Sequence, residues 1–391
     1  MLSRRHFLAG GGAAAMMPTR AWAHQDADVR HALDAAATLP PDRALALLSR
    51  FENVAASTGA RLDLAAARAG LGVDLALKQR TLDAAERFAF QVQRIAGNDA
   101  TLERVARDLD VAHRALVAQA AALLDQLAVP GKSVGARFEA LWRDPRNLFP
   151  DDEEGRAAAI NAMRATLATI RPRLPRLIGM LPVACRRVEV RGLDAREIAA
   201  GKGGYRILPD MGIRGSYVVD LKEIRRRPRF SLPSVVAHEL LPGHMAQMPL
   251  EARAAPHPLR LRYAAAFPEG WGIYAEMLMA EDGLFADPLD MLGHLHWLLF
   301  RVCRGLADIA IHARGEAPEQ ALADIRASMG EPAYFAPFAA DVTRITKEPA
   351  IRAAEAWVPL RLGACRPHSC SKWPGFHSIL LRNGRRRTEQ F

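Results

Sequence analysis

The chain has 391 residues, of which 50% are hydrophobic and 25% charged, with four cysteines and a formal net charge of +10. This length is compatible with one domain of two lobes or with two domains. Of the net +10, +3 lies in residues 1–23 and +6 in residues 359–391, which leaves +1 for residues 24–358. A nucleic-acid-binding protein would show a basic face on its body, so no nucleic-acid partner is expected.

Residues 1–23 have the form of a twin-arginine export signal. Arg4 and Arg5 precede a weakly apolar stretch, and Ala21-Trp22-Ala23 offers a cleavage site between small residues. We therefore expect the Tat export machinery as a partner, cleavage after Ala23, and a periplasmic or secreted mature protein without stable membrane insertion. A signal that stays uncleaved and anchors the chain is the alternative.

The rest of the chain predicts a mainly α fold. Residues 24–170 form a predicted N-terminal helical lobe, because apolar residues recur there at three- and four-residue steps. Helix breaks are expected at Pro40-Pro41, Gly70 to Gly72, Gly97-Asn98 and Pro130-Gly131. Only the runs from Val188 to Arg191 and from Tyr217 to Val219 are β-prone. Residues 171–358 form a second helical lobe across a cleft, and residues 359–391 form a basic C-terminal tail that we expect to be solvated.

The most informative segment is His238-Glu239-Leu240-Leu241-Pro242-Gly243-His244. Zinc hydrolases use such imidazoles and carboxylates, but the histidines of the usual H-E-x-x-H pattern are four residues apart and share one helix face. His238 and His244 are six apart, about 240° around an ideal helix. Because Pro242 removes a backbone donor and Gly243 frees the backbone, we expect the helix to break and turn His244 back towards His238.

A second acidic segment follows, with the sequence Glu269-Gly-Trp-Gly-Ile-Tyr-Ala-Glu276. Pro268 suits the first turn of a helix, and Glu269 and Glu276 are seven residues apart and share a face. Carboxylates on an otherwise apolar helix are costly to bury without a cation, which a metal would supply. The two segments indicate a metal-dependent hydrolase that acts on peptides. The simpler alternative is a buried helix with ordinary hydrogen-bonded histidines.

These segments resemble the bacterial DUF885 family, whose patterns are H-E-x-x-P-G-H-x-x-Q and E-G-W-x-x-Y-x-E. Three further stretches resemble segments of the family and follow one another along the chain in the family's order. These stretches are Gly215 to Asp220, Arg301 to His312 and Phe376 to Gly384. The resemblance implies a helical metallopeptidase whose architecture is similar to that of the helical glutamate-zincins. It also implies that His238, His244 and Glu269 bind one zinc ion and that Glu239 is the general base. Glu276 would orient a ligand histidine through its free ring nitrogen.

Four polar residues recur on one face of a predicted helix over residues 287–312, and they are Arg301, Arg304, Asp308 and His312. We expect Arg304 and Asp308 to contact the metal-binding side chains and hold them in position without binding the metal. For Arg301, an ion pair on a solvated face is an equal alternative. The residue that stabilises the oxyanion is left open between His312, Tyr217 and Tyr274.

The chain departs from the family pattern over residues 344–355, where the family's glycine, glutamine and two tyrosines are absent. We expect a zinc-dependent peptidase. Two alternatives remain, a catalytically impaired periplasmic protein that binds metal or peptide, and a metal-dependent amidase or esterase with a non-peptide substrate. Cys365 and Cys370 are near enough in sequence for a disulfide in an oxidising compartment.

Overall fold

The structure is a computed structural model that describes residues 20–210, 212–331 and 337–391, with side chains from residue 24 onward. Within these ranges the fold is mainly α, as predicted, with one small sheet. The helices of the first half are α1 (Arg20–Ala36), α2 (Pro41–Leu48), α3 (Thr58–Gln79), α4 (Ala84–Ile95), α5 (Leu102–Gln126), α6 (Val134–Arg143), α7 (Glu153–Ile170), α8 (Leu174–Ile178), α9 (Val183–Arg186) and α10 (Ala195–Ala199). Those of the second half are α11 (Leu232–Glu239), α12 (His244–Ala254), α13 (Pro258–Tyr263), α14 (Phe267–Glu281), α15 (Pro288–Arg314), α16 (Pro318–Met329), α17 (Phe338–Lys347), α18 (Ile351–Cys365) and α19 (Trp373–Arg382).

Most of the predicted export signal, residues 1–23, lies outside the described residues, and α1 begins at Arg20. Three of the expected helix breaks fall between helices, at Pro40-Pro41, Gly97-Asn98 and Pro130-Gly131. The break expected at Gly70 to Gly72 is wrong, because α3 continues through it. Gly70 instead makes room for an aromatic ring, since a Cβ there would lie 2.0 Å from Cγ of Tyr263.

The hydrophobic core consists of two clusters. The smaller one joins α1, α2 and α3 to α13. The larger one extends from Phe88 to Leu381 and continues across residue 170, so the predicted lobe boundary does not divide the core. Its central element is α15, which packs against α4, α5, α16 and α18. Helix α14 lies between α11 and α18, and this arrangement brings the histidine and glutamate segments together.

The small sheet has the strand order β1-β3-β2, with β1 (Val188–Gly192), β2 (Tyr205–Ile207) and β3 (Gly215–Val219). Strand β1 runs parallel to β3, and β2 runs antiparallel to it at the edge. The sequence predicted β1 and β3 but not β2. In the antiparallel pair Arg206 lies directly opposite Tyr217, so both side chains are on the same face of the sheet.

The predicted solvated tail over residues 359–391 is wrong, because α18 extends across residue 358 and α19 follows. Arg387 is fully buried and donates to the backbone carbonyls of Arg94 and Tyr263, at 3.1 and 2.8 Å. Its guanidinium therefore stabilises the fold. Cys365 and Cys370 are free thiols in the structure. Within the described ranges, no helix combines the length and apolarity needed to cross a bilayer.

Candidate metal centre

The helix break predicted between His238 and His244 is confirmed. Helix α11 ends at Glu239 and α12 begins at His244, with a cis peptide bond between Leu241 and Pro242. Gly243 is required by a close approach, since a Cβ there would lie 1.8 Å from the carbonyl oxygen of His238. The turn brings the two imidazole centroids to 4.7 Å, with the rings nearly perpendicular at 85°.

Trp271 of the second segment holds this turn in place. Its indole Nε1 donates to the carbonyl oxygen of Pro242 at 3.0 Å, and the ring is fully buried. A buried indole N–H needs an acceptor, and the carbonyl of the turn needs a donor, so one contact satisfies both groups. The tryptophan of the second segment therefore acts on the conformation of the first.

Three residues with donor atoms converge where the two segments meet. Nε2 of His238 lies 3.5 Å from Oε1 of Glu269, and Nε2 of His244 lies 3.5 Å from Oε2 of the same carboxylate. One ligand atom from each residue lies within 4.8 Å of the other two. Both histidines are buried, with 3% of each residue exposed.

The geometry and the hydrogen bonding of this cluster fit a zinc ion. Tetrahedral bonds of about 2.0–2.1 Å place two ligand atoms about 3.4 Å apart, close to the separations between Glu269 and each imidazole. Neither ring nitrogen of His244 has a hydrogen-bond partner among the described residues, although both are buried. A buried polar atom without a partner is costly, and a metal ion would satisfy one of these nitrogens. The donor set of two imidazoles and one carboxylate is common in catalytic zinc sites.

Glu276 orients His238 from the side remote from the cluster. Its Oε1 lies 2.7 Å from Nδ1 of His238, and its Oε2 accepts from the hydroxyl of Ser234 at 2.5 Å. A hydrogen bond at Nδ1 leaves the lone pair on Nε2 and directs it towards Glu269. His294 lies behind Ser234, with 3.3 Å between Nδ1 and Oγ, so it is not a member of the donor cluster.

Gly272 makes a second close approach in this site. A Cβ at this position would lie 2.6 Å from Cε1 and 2.9 Å from Nε2 of His238. The side chain of His238 can therefore reach Glu269 only because α14 carries a glycine there. The two segments are matched by shape as well as by charge.

The electrostatics favour an ionised carboxylate at Glu269. Nη1 of Arg301 lies 2.9 Å from Oε1 of Glu269. Burial alone would raise the pKa of Glu269, but Arg301 and His238 hold it well below its usual range. Burial would likewise lower the pKa of His238, but Glu269 and Glu276 raise it to about 9. For His244 burial prevails and lowers the pKa, which keeps the imidazole neutral and able to bind a metal.

Glu239, at the end of α11 and next to His238, lines a cleft of about 430 Å³. Oε2 of Glu239 lies 2.5 Å from Nε of Arg206, which the sequence analysis did not identify. Tyr217 lines the same cleft and is buried. A second cavity of about 640 Å³, with more apolar walls, shares Lys222 with the first, so the two adjoin.

The structure places Tyr274 away from this cleft. Its hydroxyl lies 2.7 Å from Nε2 of His377 on α19, and Nδ1 of that histidine lies 2.5 Å from the carbonyl oxygen of Leu177. In this chain Tyr274 donates to His377, which in turn donates to the carbonyl. The predicted oxyanion role is therefore wrong for Tyr274, which faces α19 and connects α14 to the C-terminal part of the fold.

His312 also lies outside the site. It is 11 residues beyond Arg301 on α15, or about 16 Å at 1.5 Å per residue. Nε2 of His312 lies 2.8 Å from the carbonyl oxygen of Ile345, and its ring stacks on Phe88. The predicted oxyanion role of His312 is therefore corrected to a packing contact.

Asp308 and Arg304 support helix packing and do not contact the metal ligands. Asp308 accepts from the backbone N–H groups of Ala350 and Ala353, both at 3.0 Å, and so caps the first turn of α18. Burial raises the pKa of Asp308 to about 6. Arg304 lies 3.4 Å from Asp341 on α17. Arg301, three residues earlier on α15, contacts the carboxylate of Glu269 instead.

Of the two arginines in the site, a functional role for Arg301 was one of two equal alternatives from the sequence, and Arg206 was not predicted. Arg301 carried a signal, its spacing along α15, but spacing alone does not tell which of several polar residues faces the site. Arg206 carried none, because β2 has only three residues and was not recognised as a strand.

The family known as "Bacterial protein of unknown function (DUF885)" matches residues 12–351. The chain belongs to the DUF885 family. Two solved structures share its fold. A candidate lipoprotein from Colwellia psychrerythraea superposes with a TM-score of 0.61 at 24% identity, over 82% of this chain and 53% of its own. A candidate lipoprotein of unknown function from Shewanella oneidensis superposes with a TM-score of 0.62 at 17% identity, over 92% and 72%.

The DUF885 chain thus spans about half the length of the Colwellia protein. No curated protein matches it.

Proposed function

We propose that this DUF885 protein is a zinc-dependent hydrolase that cleaves peptide bonds. The observation that carries the proposal is His244, a buried imidazole whose nitrogens lack hydrogen-bond partners and whose Nε2 lies 3.5 Å from Glu269. His238 and Glu269 would complete the ligand set, and Glu276 would fix the ring of His238. A structural role would leave those buried nitrogens unsatisfied.

The residues around the cluster have defined tasks in such a reaction. A zinc ion held by His238, His244 and Glu269 would supply a Lewis acid for activating water and polarising a carbonyl. Glu239, next to His238 and open to the cleft, would accept the proton of the attacking water and pass it to the leaving amine. Tyr217 is our choice for the donor to the developing oxyanion. Burial, and then the charge of Glu239, raise the pKa of Tyr217, so its hydroxyl keeps its proton at neutral pH.

A peptide is favoured over a small ester by the shape of the cleft. The cavities of about 430 and 640 Å³ adjoin at Lys222, one with Glu239 in its wall and the other more apolar. Such a pair accommodates an extended substrate on the side of the reacting groups. We further propose that the protein acts after export. The signal-like residues 1–23 support this, and so do the names of the two structural relatives, which refer to lipoproteins.

Metal content and turnover together test the proposal. We expect the purified protein to hold about one zinc ion per chain. Glu239→Gln should keep the metal and lose peptide hydrolysis, whereas Glu281→Gln, a half-exposed carboxylate on α14, should keep both. A wild-type protein that binds no zinc, or a Glu239→Gln variant as active as wild type, would refute the assignment.

A further inference from the structure

Arg206 and Glu239 form an ion pair that loses its charge balance when Glu239 accepts a proton. Both Nε and Nη2 of Arg206 lie 2.5 Å from Oε2 of Glu239, and the two side chains are 30% and 13% exposed. Oε1 of Glu239 can meet a water while Oε2 stays on Arg206, but a carboxylate that accepts the proton of that water becomes neutral. The guanidinium would then lose a charged partner in a partly desolvated cleft, which is unfavourable unless another anion takes its place.

The other charged groups of the cleft do not offer that anion. Asp220 lies 3.2 Å from Lys222, and Glu223 lies 2.7 Å from Arg226. Both acids thus have their own cations. The cleft therefore contains the cation that a replacement anion would meet, but the described residues supply no free anion for it.

We propose that Arg206 binds a carboxylate of the substrate, which replaces the charge of Glu239 when Glu239 acts as the base. This inference rests on the proposed hydrolase function and adds the substrate class, peptides with a carboxylate close to the scissile bond. Arg206 is on edge strand β2, directly opposite Tyr217, and both line the cleft with Glu239. A carboxylate bound there lies beside the reacting groups.

The geometry of arginine favours a carboxylate as the partner. Its planar fork can bind the two oxygens of a carboxylate side by side. In the structure Nε and Nη2 share one oxygen, Oε2 of Glu239. The anion can be the C-terminal carboxylate of a peptide or the side chain of an aspartate or glutamate. Both have the same chemistry, so substrates must distinguish them.

Hydrolysis of three matched peptides tests the inference. One has a free C-terminus, the second ends in an amide, and the third is the amide with a glutamate next to the scissile bond. We expect the wild-type kcat/KM for the peptide whose carboxylate Arg206 binds to exceed that for the neutral amide by about 10-fold or more. Arg206→Gln should abolish that preference, so that the three peptides are cleaved at similar rates, and Arg206→Lys should restore part of it.

Arg214→Gln is the matched control. Its guanidinium pairs with Glu189 at 3.1 Å on the same sheet, is 60% exposed and does not line the cleft. It should leave the preference unchanged. Equal wild-type rates on all three peptides would overturn the inference. An equal loss on all three in Arg206→Gln would overturn it too, because Arg206 would then serve the oxyanion or the position of Glu239.

Binding separates this inference from the proposed function. In zinc-loaded Glu239→Gln, Arg206 has lost its competing carboxylate, so calorimetry should show tighter binding of the preferred peptide than in wild type. Adding Arg206→Gln should remove that gain. Carboxylate-dependent binding without wild-type turnover would reject the hydrolase and keep the arginine site. Turnover without carboxylate dependence would reject the arginine site alone.

Discussion

Gly272→Ala should remove the metal site while leaving the fold intact. The new Cβ would lie 2.6 Å from Cε1 of His238, whereas ordinary contacts begin at 3.4 Å. The imidazole must therefore retreat by about 0.8 Å, several times the roughly 0.2 Å tolerance of a metal–ligand bond. Glu276, at 2.7 Å from Nδ1, and the ring of His244, at 4.7 Å, restrict that retreat.

We expect the affinity for zinc to fall by about 100-fold or more, because changes that only touch groups behind a ligand already cost about 10- to 100-fold. At zinc concentrations near 100 times the wild-type Kd, zinc should stabilise wild type by about 2.7 kcal/mol and the variant by less than about 0.5 kcal/mol. Without zinc the variant should lose about 0–2 kcal/mol, since overpacking costs about 1–3 kcal/mol and replacing a helical glycine by alanine returns about 1 kcal/mol.

Chelator competition and thermal unfolding with and without zinc measure these quantities. Two glycines provide controls. Gly305→Ala puts a Cβ 3.0 Å from Leu109 in the core, away from the donor atoms, and should lose stability but keep zinc affinity. Gly363→Ala points into open space in α18 and should gain about 0.5–1 kcal/mol. Wild-type zinc affinity in Gly272→Ala, or an equal loss of affinity in Gly305→Ala, would refute the close-approach argument.

Two further predictions concern the tyrosines and the buried histidines. Tyr217→Phe should lower kcat by about 10²–10³-fold at constant zinc content. Tyr274→Phe should keep kcat but lose about 1–3 kcal/mol of stability, because His377 loses its donor. Steady-state kinetics and urea unfolding measure both effects, and a low kcat in Tyr274→Phe would count against the assignment. Burial lowers the pKa of His296 and of His377 to about 4. Their neutral forms stabilise the fold fully above pH 6.5, and each contribution falls by about 3 kcal/mol as the pH drops from 6.5 to 4. Urea unfolding at pH 7 and 4.5 should show a smaller acid loss for His296→Gln than for wild type, and equal losses would contradict the burial argument.

Local chemistry explains which parts of the site could be predicted from the sequence. The break at Pro242-Gly243 follows from backbone sterics within seven residues, and the convergence of His238 and His244 follows from it. The shared face of Glu269 and Glu276 follows from helix periodicity. These inferences need only short stretches of chain.

The parts that failed depend on contacts between distant elements. Tyr274 is on the same helix as Glu269, but its face is decided by α19, which comes about a hundred residues later. His312 is polar in an apolar surrounding, which suggested function, yet its partner is a carbonyl of α17. Arg206 reaches Glu239 only because β2 pairs with β3. No local pattern encodes which helix will pack against which.

The burial of Arg387 has a consequence for the order in which the chain can fold during synthesis. Its guanidinium donates to the carbonyls of Gln93 and Arg94, at the end of α4, where helical carbonyls lack partners of their own. Arg387 leaves the ribosome 293 residues after Arg94, which takes about 15 to 60 s at roughly 5–20 residues per second. Throughout that interval the carbonyls of Gln93 and Arg94 lack this donor, so α4 reaches its final contacts only after residue 387 has been synthesised.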